Sequence, residues 1–157
     1  MAEEKDLQKA KKTYETLCGM LTAHDWTFEK DDDALEIKCG VQSEDLPMEI
    51  SIRVDVKRSF VILLSHLPFV VSEDKRFDLA VAVSVVNNTL VAGSFDYDVK
   101  TGHMFFRMTT SFLGSELGEE AFIYMICCSC QTIDEYNDKF LLLAKNMMSL
   151  EQFISNN

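Results

Sequence analysis

The chain has 157 residues, a net charge of −11, and a composition 47% hydrophobic against 26% charged. That length fits one domain, and that apolar content expects a packed core rather than disorder. A field this acidic repels phosphate backbones and anionic lipid surfaces, which argues against nucleic acid or a membrane as partner.

The opening Met-Ala-Glu-Glu-Lys-Asp is charged where a signal peptide needs an apolar run. Leu7, Ala10, Tyr14, Leu17 and Leu21 then recur every three or four residues, which predicts an amphipathic helix over about 4–22. Its Lys5, Lys9, Lys11 and Lys12 lie among Glu3, Glu4, Asp6 and Glu15, as on a solvated face. Trp26 and Phe28 alternate with polar residues, Asp31-Asp32-Asp33 marks a turn, and Leu35, Ile37, Cys39 and Val41 alternate again, so a hairpin is expected. After a loop from Gln42 to Pro47, Met48, Ile50, Ile52, Val54 and Val56 interleave with charged and polar residues as in a half-buried strand.

Ser59 to Leu67 is apolar on both faces, which predicts a central strand covered on two sides and ended with the help of Pro68. The apolar stretch Phe60 to Val71 is too short and too interrupted to span a bilayer. Ser72 followed by Glu73 and Asp74 suits a helix start. Leu79 to Val91 is ambiguous: Val81, Val83 and Val85 alternate as in a strand, whereas Phe77, Ala80, Val81 and Ser84 suit one helical face framed by Ser72 and Gly93. Phe95, Tyr97 and Val99, a turn at Gly102, and Met104, Phe106, Met108, Thr110 and Phe112 form two antiparallel strands.

A C-terminal helical region of about 118–156 follows. Phe122, Ile126, Ser129, Ile133, Tyr136, Phe140, Leu143, Met147, Leu150 and Ile154 make a seam of period 3.5. Unbroken, it would run about 45 Å or more. Thr132 with Glu135 and Ser149 with Gln152 have capping-box spacing, so a break at either is open.

The helix end at Asn87-Asn88, the run Gly93-Ser94-Phe95, the turn from Asp96 to Gly102, and Met104 to Arg107 resemble the YbjN-like family, whose fold is similar to that of type III secretion chaperones. The resemblance implies that 73–92 form a helix. It also implies an α+β fold, a twisted antiparallel sheet packed by helices in the order α-β-β-β-β-α-β-β-α(α). Small, acidic, non-enzymatic dimers that cradle a partner segment are implied as well, and no catalytic residue or cofactor comes with it.

The residues themselves offer little chemistry. Cys127-Cys128-Ser129-Cys130 sits mid-helix with no nearby cation in sequence, and Cys18 and Cys39 stand on apolar faces. Core filler in a reduced cytoplasmic protein is the expectation for all five. His24, His66 and His103 have no partner at motif spacing, and Asp96-x-Asp98-x-Lys100 lacks the calcium-loop ligand set. The seam is the candidate site. It packs on the sheet throughout, or part of it, above all Phe140 to Ile154, meets a second copy or another protein. The surface residues expected are Tyr136, Phe140, Leu143, Met147, Leu150 and Ile154, in a non-enzymatic, chaperone-like homodimer. Two alternatives stay open: an apolar-ligand pocket lined by Phe60, Ile62, Phe106 and Met108, and a dispersed enzyme site around His103, Asp96 or Asp98, and Arg107.

Overall fold

A computed structural model describes residues 2–157. The elements are α1 (Ala2–Ala23), β1 (Glu29–Asp31), β2 (Glu36–Val41), β3 (Met48–Asp55), β4 (Phe60–Val70), α2 (Arg76–Asn87), β5 (Ser94–Tyr97), β6 (His103–Ser111), α3 (Glu119–Ala144) and α4 (Leu150–Asn156). The six strands form one sheet in the order β1-β2-β3-β4-β6-β5, with every neighbouring pair antiparallel. The helices gather on one face of it.

Register assigns the faces, because directly opposed residues point the same way. Cys39, Ile50, Ser65, Phe106 and Phe95 form one row beneath the helices, and Ile37, Ile52, Leu63 and Met108 form the next. All nine are buried. Ala10, Tyr14, Leu17 and Leu21 of α1 are buried against this floor, and the Tyr14 hydroxyl donates to Asp32 Oδ1 at 3.1 Å, tying α1 to the β1–β2 turn. Burial drives the Tyr14 phenol well above its ordinary pKa. The same turn is closed from within: Asp31 Oδ1 accepts from the backbone N–H groups of Asp33 and Ala34.

The ambiguous valines are helical. Leu79, Ala82, Val83 and Val86 point inward from α2, which packs on α3, α4 and β5. A short 3₁₀ turn over Glu73–Lys75 precedes it. There the Ser72 hydroxyl donates to Asp74 Oδ1 instead of capping a backbone N–H. At the far end, Asn87 replaces a strand: its Nδ2 donates to the Phe95 carbonyl and its Oδ1 accepts from the Phe95 N–H, both at 2.9 Å. Gly93, with φ of +74°, lies so close beneath Phe106 that a Cβ would come within 2.3 Å of the ring.

Pro68 does not end β4. The strand continues to Val70 through a register shift between His66 and Val70, and a residue without an N–H sits comfortably in such an irregular stretch. The C-terminal seam does break, after Ala144. Its second helix starts at Ser149, whose hydroxyl accepts from Gln152 N–H while the Gln152 side chain accepts from Ser149 N–H. The Thr132 spacing makes no break, since α3 runs through it.

Candidate protein-binding surfaces

The six residues expected at a surface divide. Tyr136, Phe140 and Leu143 lie in the core, not at the surface. Phe140 sits 5.0 Å from Phe95 and 5.6 Å from Phe153 between ring centroids, inside an aromatic cluster that also takes in Phe106 and Tyr136. The reason is geometric. The 26 residues of α3, about 39 Å long, lie across β4 and β6 and between the other helices, which buries most of their apolar stripe. Beyond the break, Phe153 turns inward, Leu150 is half-buried, and Met147 and Ile154 stand 74% and 45% exposed.

A second apolar surface escaped the sequence reading. Phe77 and Val81, four residues apart on α2, are 81% and 42% exposed, with the polar Ser84 on the same outer side. The spacing places Phe77, Ala80, Val81 and Ser84 on one helical face. The structure buries the opposite face, through Leu79, Ala82, Val83 and Val86. A helix apolar on two sides was the available signal: packed against one layer, it must leave one side bare.

The third surface is the sheet's outer face. Phe60, Ile62, Leu64 and His66 of β4 alternate with its buried residues, and no helix among the described residues covers them. The expected two-sided burial of β4 is therefore one-sided, and these three apolar side chains are half-exposed. Around them stand Arg53 and Ser51 of β3, and Phe105, Arg107 and Thr109 of β6. At the β1–β2 end this face hollows into an open groove of about 880 Å³. Its floor is low because Gly40 and Ser51 carry almost no bulk, while Leu64, His66 and Pro68 form one wall and Thr27 with Glu29 the other.

Register also removes the expected apolar pocket. Phe60 and Ile62 are on the outer face and Phe106 and Met108 are in the core, so the four cannot line one cavity. The dispersed enzyme site does not assemble either. Arg107 Nε lies 2.9 Å from Asp96 Oδ2 in a cross-strand ion pair, Asp98 Oδ1 accepts from Lys100 N–H within its own turn, and His103 is exposed. Among the described residues no cluster of His, Cys, Asp and Glu could hold a metal. All five cysteines are free thiols; burial pushes Cys39 and Cys130 up to about 11, the reverse of an activated nucleophile. No helix among the described residues is long and apolar enough to cross a membrane.

The six-stranded antiparallel sheet with its helices on one face is a type III secretion chaperone-like fold. Crystal structures agree: the ExsC–ExsE complex aligns with TM-score 0.57, 13% identity, 81% of this chain and 92% of that one. The HopA1–SchA chaperone–effector complex aligns with TM-score 0.52, 14% identity, 83% of this chain and 94% of that one. The chain belongs to the YbjN family, described as "Putative bacterial sensory transduction regulator", which matches residues 13–142. YbjN from E. coli aligns with TM-score 0.58, 15% identity, 80% of this chain and 92% of that one. A search of the curated proteins gave no match. The family description names a regulator, and HopA1–SchA is a chaperone–effector complex.

Proposed function

We propose that the protein, acting as one folded unit over residues 1–157, is a non-enzymatic, chaperone-like binding protein of the cytoplasm that works as a homodimer and engages a further protein segment. The observation that carries this is Phe77, a phenylalanine 81% exposed on a regular helix, with Val81 one turn on. Such a side chain costs solubility for no gain in the isolated fold, and covering it against a second copy removes that cost. Met147 and Ile154 are further bare apolar groups, on α4 and the linker before it, and α4 packs beside α2. Two neighbours of the same fold were solved as complexes with a protein partner, which supports a protein partner here. Five free thiols suit a reducing compartment.

Sedimentation equilibrium on the full chain and on Phe77→Asp tests it. The expected mass is twice 17.9 kDa for the wild type and 17.9 kDa for the variant. Because Phe77 contributes little to the core, the variant keeps its melting temperature on a monomer basis. A wild type that stays monomeric at 100 µM (roughly the upper range of a working affinity) contradicts the proposal.

A further inference from the structure

We propose that the groove on the outer sheet face binds an extended, cationic segment of another protein, with Lys or Arg side chains alternating with small apolar ones. This assigns a partner chemistry to the protein-binding reading above and rests on it.

The groove lies over β2 and β3 between walls at β1 and β4, three strand spacings or about 14 Å across, wide enough for one extended segment with its side chains. Its base is apolar or small, with Gly40 and Ser51 on the floor and Leu64 and Pro68 beside them. Its rim is acidic. Glu29, Glu36 and Glu49 line it against the single cation Lys38. A smaller hollow of about 220 Å³ shares Glu29, Glu36 and Lys38 and adds Asp31 and Lys30, so the trough continues along the β1–β2 edge. Among the described residues none of Glu29, Asp31, Glu36 and Glu49 forms an ion pair, whereas Lys30 is already held by Asp32 at 3.2 Å. Arg53 stands opposite Glu36 in register but outside the groove lining, so the trough itself stays net acidic.

The occupant follows from this charge. Nucleic acid and anionic lipid are repelled, and a second copy carries −11 overall, so it is not favoured here. A period-two cationic and apolar strand places alternate side chains toward the carboxylates and toward Leu64 and Pro68. The absence of a side chain at Gly40 is what admits it: a Cβ there would meet nothing nearer than the Met48 carbonyl at 4.0 Å, leaving the space above β2 for the guest.

The test measures binding of three fluorescent octapeptides, alternating Lys-Val, Ser-Val and Glu-Val, to the full chain at physiological salt. Lys-Val binds and Glu-Val does not. The double variant Glu36→Gln with Glu49→Gln weakens Lys-Val about tenfold, the sum of two modest charge contacts. Gly40→Val, which fills the floor at a position strand geometry tolerates, weakens it as much while leaving the melting temperature and sedimentation mass unchanged. Glu119→Gln with Glu120→Gln, an equal charge loss at the exposed start of α3, changes it less than about twofold. Equal weakening by both double variants, or no effect of Gly40→Val, overturns the groove assignment. Ser-Val binding as tightly as Lys-Val overturns the cationic class while leaving the protein-binding reading standing. Failure of all three peptides, with the wild type still dimeric, overturns the groove and not the dimer.

Discussion

Asn87→Ala isolates a contact on which the β5 edge depends. β5 is the last strand of the sheet, so one side of its backbone has no neighbouring strand. Asn87, the last residue of α2, fills that role for Phe95 with two bonds of 2.9 Å, donating to its carbonyl and accepting from its N–H. Both bonds are partly buried, and Phe95 itself is 1% exposed at the centre of the aromatic cluster. Each bond contributes about 1 kcal/mol net, and stranding two backbone groups where water reaches them poorly adds about 1–2 kcal/mol more. The expected loss is thus about 3–4 kcal/mol, or roughly 6–16 °C in Tm for a domain of this size. Urea denaturation followed by circular dichroism measures it, with an unchanged m-value showing that the same surface unfolds. A loss below about 0.5 kcal/mol would refute the reasoning, because water would then satisfy the edge as well as Asn87 does.

Phe153→Ala is expected to cost about 3 kcal/mol, since a seven-residue helix cannot persist alone and Phe153 is its one buried side chain. Faster tryptic cleavage at Lys145 reports the release of α4, and a cost under about 1 kcal/mol would show that α4 is held by something else. Asp55 accepts from the Arg58 backbone N–H at 3.0 Å and from its guanidinium at 3.1 Å, and first that backbone bond holds its carboxyl below the ordinary carboxylate range. A depressed folded pKa stabilises above the unfolded value and is lost as pH falls through the folded one. Wild type is therefore more stable than Asp55→Asn at pH 7, and the gap closes below about pH 4. Native iodoacetamide labelling at pH 8 modifies Cys127, which is exposed, well before the buried Cys39 and the half-buried Cys130; peptide mapping in the opposite order would contradict the packing of α3.

Much of the fold is legible in the residues because period two and period 3.6 are local. β3 shows as Met48 to Val54 alternating with Glu49 to Asp55, and α1 as Ala10, Tyr14, Leu17 and Leu21. α2 was not legible locally, because its valines serve both periods, and tertiary packing on α3 and β5 decides it. β4 misled for a different reason. Phe60, Ile62 and Leu64 look like the second buried face of a central strand, yet no element among the described residues covers them. Their apolarity is a surface property that a pattern cannot tell from burial. The seam misled in the same way, in reverse: a 3.5 period records an apolar stripe, not what lies against it, and α3 lays Tyr136, Phe140 and Leu143 on its own sheet. The break that frees Met147 and Ile154 was written in Ser149 and Gln152, but the direction of α4 after it depends on where Phe153 finds its pocket beside Phe140.

A concentration series of ¹⁵N–¹H spectra from 10 µM to 1 mM (a range chosen to cross about micromolar to millimolar self-affinities) addresses most directly the claim that a bare apolar side of α2 meets a second copy. Shifts confined to Phe77, Val81, Ser84 and their neighbours on α2 and α4 are expected, with the interior residues Phe95 and Phe140 unmoved. Spectra that do not change with concentration, at a relaxation-derived mass of a single chain, would contradict it.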